Sequence, residues 1–300
     1  MGELACVAPE ARERLVVRFG AEVSAWCDEL PALVGELAAR WNLDPLATGG
    51  GGTSRVFRCV RRDTGTLAWL KLTPQPAIAR EEAEALWAWA ETPSVVTLLA
   101  DDLAAGALLL ENVEPGVPVR HLAWDLPEVA ALLRDLRGSA PPPGEHSVLQ
   151  PLSHRIDFVF DLTARRLTAA GVVGRSAPVV LDQARAAALE LATSGPVGLV
   201  HGDLHPANVL SGPGARMVAI DPRPAWGDPD FDAVDWVLAG VTDFAVLEQR
   251  IEELARMVPG QSPHRVLRWC RALAAVIAVP GVCARRDDAE TQFLLLLAGS

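Results

Sequence analysis

The stretch HGDLHPAN, residues 201–208, holds the chain's densest set of chemically active side chains. Val200 precedes it and Val209 and Leu210 follow, so the pattern predicts a loop between two buried strands. Asp203 and Asn208 stand in the H-x-D-x-x-x-x-N arrangement, a spacing suited to phosphoryl transfer. In that chemistry an aspartate orients an attacking hydroxyl and takes its proton, and an amide oxygen close by helps hold Mg²⁺. Asp221, at the end of the apolar run 217–220, supplies the further carboxylate that bridges the ion to phosphate. Taken singly, each of these aspartates reads as a turn or cap residue; together they form a set.

Lys71 completes the set. It is the one lysine among 27 basic residues, the rest being arginine. It sits in LAWLKLTP, between Leu70 and Leu72, which is a poor setting for an accidental surface charge. A strand lysine can neutralise α- and β-phosphates as a compact point charge, a task the broad guanidinium fork of arginine does not fit. The helical stretch 76–90 offers a carboxylate to hold it. Glu82, four residues before Leu86, is the favoured partner, with Glu81 and Glu84 expected on solvated sides. Upstream, GGGGTS places Gly50, Gly51, Gly52, Thr53 and Ser54 where backbone N–H groups can approach phosphate. By its order in the chain, LLLEN with the following residue places Glu111 and Val113 on the edge where adenine would dock.

These residues need two kinds of scaffold. Residues 10–41 carry helical periodicity, with a second helix expected to start at Pro31. From Gly49 the texture becomes a β-meander, RVFRCVRR and LAWLKL around the turn DTGT, with Lys71 on its third strand. After helix 76–90, short strands are expected near 95–100 and 107–110, and 111–116 reads as a connector. Helices follow over 125–137, 155–170 and 178–193, with PPPG at 141–144 as a breaker. Residues 199–221 form a β-rich island, and helices run onward from there. The fold class is therefore α+β and bilobal. A nucleotide-side lobe with a helical extension and a small sheet spans 1–112, and a mainly helical lobe with the catalytic loop and substrate site spans 113–300.

The bulk composition narrows the partners. A net charge of −11 argues against nucleic acid and anionic membranes and favours a cationic small molecule. Five cysteines without a C-x-x-C pair fit a reducing compartment. No basic leader precedes an apolar core, and runs such as 294–298 fall short of a membrane span, so a cytoplasmic protein is expected.

HGDLHPANVL, the later IDPRPAWGDPDFDAVDW, and KLTP, EEAEAL and LLLENVEPG together resemble the aminoglycoside phosphotransferase family, which has a protein-kinase-like fold. The likeness runs from about residue 45 to 245 and is nearest its streptomycin 6-phosphotransferase and hydroxyurea phosphotransferase branch. It implies ATP- and Mg²⁺-dependent phosphorylation of a small-molecule hydroxyl, on an aminoglycoside such as streptomycin. Asp203 is then the catalytic base, Asn208 and Asp221 the metal ligands, and Lys71 with Glu82 the phosphate clamp. Gly202 in place of arginine, Asp221-Pro222-Arg223 in place of D-F-G and the absence of A-P-E set the chain apart from regulated protein kinases. A cationic acceptor calls for carboxylates, for which Asp228, Asp230 and Asp232 are the candidates, with Asp235 and Asp243 nearby. Arg155, Arg165 and Arg166 read as a solvated helix face.

Three other readings compete. The same machinery could serve a sugar, choline-like or other metabolite hydroxyl. The fold could be a non-catalytic nucleotide-binding module. His201, Asp203 and His205 could instead hold Zn²⁺ in a metallohydrolase, which leaves Lys71, the glycines and Asn208 without a use.

Overall fold

The structure, a computed structural model, describes residues 2–50, 53–139, 147–172 and 177–300. The expected phosphate glycines Gly51 and Gly52 and the breaker at 141–144 lie outside the described residues. The chain forms two compact units, Met1–Ala90 with Val96–Glu114 and Glu91–Val95 with Pro115–Ser300.

In the first unit, helices α1 (Gly2–Ala5), α2 (Pro9–Phe19) and α3 (Val23–Arg40) precede strands β1 (Leu43–Gly50), β2 (Arg55–Arg61) and β3 (Leu67–Leu72). Helix α4 (Pro76–Ala88) and strands β4 (Leu98–Asp102) and β5 (Ala107–Glu111) follow. The break between α2 and α3 falls at Gly20, at φ +94°, and not at Pro31, which lies inside α3. Val23, Cys27, Leu30, Val34 and Leu37 form one buried stripe that runs past the proline. Burying each such side chain yields about 1.5–3 kcal/mol. The stripe therefore outweighs an interior proline, which costs about 3 kcal/mol.

The five strands pair antiparallel in the order β1-β2-β3-β5-β4. Because side chains alternate across a pleated sheet, Phe57, Cys59, Leu70, Leu72 and Leu109 pack under Leu30, Val34 and Leu37 of α3. The register then places Val56, Lys71 and Leu108 side by side on the opposite face. Helix α4 packs beside β4 and β5. Its buried stripe of Ala79, Glu82, Ala83 and Leu86 includes one carboxylate among apolar side chains.

In the second unit, α5 (Leu126–Ser139), α6 (Leu152–Ala169) and α7 (Ala177–Thr193) precede β6 (Gly198–Val200), β7 (Val209–Ser211), β8 (Met217–Ala219) and β9 (Ala225–Gly227). Helices α8 (Val234–Leu238), α9 (Phe244–Met257), α10 (Pro263–Cys283) and α11 (Ala289–Ala298) complete it. By length and composition α10 could cross a membrane, yet it packs against α6, α7, α9 and α11 and is mostly buried. Strands β7 and β8 form a hairpin, and β6 pairs with β9, a strand the sequence reading did not anticipate. The loop 201–208 joins these two ribbons. Its ends are tied by Ile220 N–H donating to Asn208 O at 2.9 Å and Arg223 N–H donating to His201 O at 2.8 Å.

Candidate active site

In the first unit, Lys71 Nζ donates to Glu82 Oε1 at 2.7 Å and Oε2 at 2.6 Å. The two side chains are only 7% and 1% exposed. Pleat and helix phase converge here: Lys71 leaves the sheet on the face opposite α3, and Glu82 lies in the buried stripe of α4. Glu81 and Glu84, expected on solvated sides, are half-buried. Two buried charges in such contact rarely add net stability, so a functional reason for keeping them is in order.

Around this pair, Gly50 ends β1 opposite Arg55. Thr53 and Ser54 are buried, and Thr53 O accepts from Thr73 Oγ1 at 3.4 Å. Glu111 uses its carboxylate on β4's approach, accepting from Thr97 N–H at 2.8 Å, and Val113 is half-buried in the connector.

In the second unit, Asn208 Nδ2 donates to both the backbone oxygen and Oδ2 of Asp203, each at 3.0 Å. Both partners are acceptors, so the amide must present nitrogen to them. The Asn208 oxygen is left as the group able to face a cation, with Asp221 the carboxylate beyond the hairpin. Asp221 takes φ +56°, a left-handed conformation uncommon outside glycine, and its carboxylate is about one-third exposed. These oxygen donors suit Mg²⁺.

Gly202 also has a positive φ, +75°, and a Cβ there would lie 2.1 Å from Arg223 O. No side chain fits. Buried His201 accepts from Asp203 N–H through Nδ1 at 3.4 Å and meets Ile220 O through Nε2 at 3.1 Å. Burial pushes its pKa down to about 4. Both ring nitrogens are used on the backbone, which removes His201 as a zinc ligand and with it the metallohydrolase reading.

The expected substrate carboxylates are framework instead. Asp232 accepts from His201 N–H at 2.7 Å and Gly202 N–H at 3.0 Å, and burial raises its pKa to about 6. Asp228 accepts from Arg265 Nε at 2.7 Å and Trp269 Nε1 at 2.9 Å, and also caps its own turn at Asp230 N–H. Asp230 accepts from Arg137 Nη2 at 2.9 Å and Ser262 N–H at 3.1 Å. All three are buried and offer no free carboxylate to solvent; Asp232 braces the loop directly, while Asp228 and Asp230 tie the turn after β9 to α5 and to the start of α10. Asp243 caps α9 through Val246 N–H. Asp235 is half-buried, its pKa raised to about 6 mainly by burial.

Arg155 was misplaced by the sequence reading. Arg165 and Arg166 are exposed as expected, but Arg155 points inward from α6. Its Nη2 donates to Asp203 Oδ1 at 3.0 Å and its Nε to Gly202 O at 3.1 Å. One signal was available: Arg155 immediately precedes Ile156 and follows Leu152 by three, which puts it on the edge of the buried stripe Leu152, Ile156, Phe160.

Residues 40–285 match the family described as aminoglycoside/hydroxyurea antibiotic resistance kinase. A streptomycin 6-kinase of Streptomyces glaucescens is 31% identical over 229 residues, 71% of this chain and 68% of that protein. A hydroxyurea phosphotransferase of Kitasatospora aureofaciens is 32% identical over 229 residues, 74% of this chain and 64% of that protein. Among solved structures, the choline kinase LicA of Streptococcus pneumoniae superposes with a TM-score of 0.61 at 15% identity, covering 89% of this chain and 98% of that one. A thermostable mutant of the aminoglycoside phosphotransferase APH(4)-Ia, in a ternary complex with ADP and hygromycin B, gives 0.56 at 17% identity over 89% of this chain and 98% of that one. The fold is thus protein-kinase-like, and the chain belongs to the aminoglycoside/hydroxyurea antibiotic resistance kinase family.

Proposed function

We propose that the chain transfers the γ-phosphoryl group of ATP to a hydroxyl of a small cationic molecule, an aminoglycoside such as streptomycin. The observation that carries this reading is the coupling of Asp203 to Asn208, in which one amide steadies the base and keeps its oxygen for a cation. Asp203 orients the acceptor hydroxyl and takes its proton. Lys71, steadied by Glu82, neutralises the phosphates, and the backbone of 50–54, Glu111 and Val113 binds the nucleotide. Mg²⁺, held by Asn208 and Asp221, would offset the charge that builds on the phosphates.

A second reading keeps the mechanism and changes the acceptor. The guanidinium of Arg155 stands beside the base, while Asp228, Asp230 and Asp232 are turned inward. That arrangement suits a small neutral acceptor such as hydroxyurea better than a polycation.

Both are tested by ADP release with Mg²⁺-ATP across streptomycin, other aminoglycosides, hydroxyurea and amino sugars. Turnover that depends on an acceptor and disappears in Asp203→Asn, with ATP still bound, is the expected result. Ordinary turnover by Asp203→Asn removes the assignment of the base. Turnover with a sugar alone keeps the chemistry and discards the resistance reading. ATP binding without turnover on any acceptor favours a binding module.

A further inference from the structure

Both oxygens of Asp203 are already engaged: Oδ1 accepts from Arg155 and Oδ2 from Asn208, each at 3.0 Å. The bulk of a guanidinium covers the Oδ1 side, and its Nε bond to Gly202 O fixes it there. A carboxylate oxygen accepts more than one hydrogen bond, so an incoming hydroxyl has Oδ2 as its open acceptor.

The neighbour on that side is His205, whose Nε2 lies 3.9 Å from Asp203 Oδ2. Ala207 N–H donates to His205 Nδ1 at 3.2 Å. That bond requires an unprotonated Nδ1 and therefore puts the ring hydrogen on Nε2. The side chain is 38% exposed, and Nε2 makes no hydrogen bond among the described residues. A separation of 3.9 Å is too long for a direct bond but fits one bridging atom. An oxygen about 2.8 Å from each would see the two groups at roughly 90°.

We propose that His205 is a second catalytic residue, its Nε2–H donating to the oxygen of the acceptor hydroxyl while that hydroxyl donates to Asp203 Oδ2. The two side chains then form a two-point seat for an alcohol or N-hydroxyl group. The seat rests on the phosphotransferase reading above. In the transfer step the acceptor oxygen bonds to the γ-phosphorus of ATP. The bond from that phosphorus to the β–γ bridging oxygen breaks and ADP leaves. The hydroxyl proton passes to Asp203 Oδ2, and His205 keeps its own proton. The role of His205 is to aim a lone pair of the acceptor, a contribution of orientation and not of proton transfer.

The test compares the parent with His205→Leu and His205→Gln, measuring kcat, KM for the acceptor and ADP affinity. His205→Leu should lose about 10- to 100-fold in kcat/KM for the acceptor, the value of one hydrogen bond at the reacting atom. ADP affinity should stay at the parental level. His205→Gln, which restores an N–H donor near the Nε2 position, should recover most of the loss. Parental activity in His205→Leu overturns the seat, as does a glutamine variant no better than leucine, which would mean a structural role. Loss of ADP affinity in step with turnover overturns it too. A parent without turnover on any acceptor overturns the proposed function and the seat together, whereas an active parent with an active His205→Leu overturns the seat alone.

Discussion

Replacing Lys71 by methionine takes the ammonium away from both Glu82 oxygens, in a site where the glutamate side chain is 1% exposed. The carboxyl can then stay ionised in a dry environment or take up a proton. Protonation sets the ceiling on the penalty. From an ordinary glutamate value near 4.3, at about 1.4 kcal/mol per pH unit, the cost at pH 7 is about 4 kcal/mol. That agrees with the roughly 3–5 kcal/mol typical of a broken buried ion pair. The origin of the penalty gives it a pH signature: at pH 5 the same arithmetic leaves about 1 kcal/mol. Adding Glu82→Leu removes the buried carboxyl, and stability should return to within about 1–2 kcal/mol of the parent. Phosphoryl transfer should be absent from both variants.

Urea unfolding of the parent, the single and the double variant at pH 5 and pH 7, with ADP release measured alongside, reads every part of this. A penalty equal at the two pH values would mean that the buried carboxyl is not the source of the loss. A double variant as unstable as the single would mean that the pair stabilises the fold outright. Turnover in either variant would remove Lys71 from the chemistry, and the one lysine of the chain would be an accident of composition.

Two further outcomes follow from the groups beneath the loop. Asp232→Ala leaves two buried N–H donors, of His201 and Gly202, without an acceptor. At about 1–3 kcal/mol each, unfolding should be easier by several kcal/mol and turnover should fall while ADP affinity persists; a stable, active variant contradicts the framework role. His201, lowered to about 4 from an ordinary 6.5, contributes stability that is full above pH 6.5 and lost as pH falls through about 4. Asp232, raised to about 6 from 3.8, works in the opposite sense: its contribution is full below pH 3.8 and lost as pH rises through about 6. The stability advantage of the parent over His201→Asn should therefore shrink by roughly 3 kcal/mol between pH 7 and pH 4, as read by urea unfolding; an advantage independent of pH would mean that burial does not hold this ring neutral.

What could be read from the sequence was what short covalent spacing or regular periodicity enforces. Asp203 and Asn208 are close because five residues of loop leave them few alternatives. Lys71 and Glu82 meet because a two-residue strand period and a 3.6-residue helix period each select one face. The acidic run 228–232 had no such guide. Its partners Arg137, Arg265 and Ser262 lie 32 to 93 residues away, and an aspartate in a turn looks the same whether it faces solvent or a distant arginine. Arg155 stands 48 residues from Asp203, and only the stripe at its flank hinted at burial. Pro31 misled for a related reason. A local preference to start a helix was outweighed by an apolar stripe that continues on both sides of it.

Gly202 shows how one departure from a familiar pattern can carry two explanations of different rank. As a missing arginine, it suggested a chain freed from control by a phosphorylated loop. Its geometry supplies a nearer cause. A φ of +75° and a backbone oxygen 2.1 Å from where a Cβ would sit exclude any side chain, whatever the regulation. The close approach belongs to the same turn in which Arg223 N–H reaches His201 O and Asp221 adopts its own left-handed backbone. Asp232 then ties both N–H groups before Asp203 to a single carboxylate. Asp203 is therefore held by backbone on one side and by Arg155 and Asn208 on the other. The glycine is there because that approach leaves no room for anything larger.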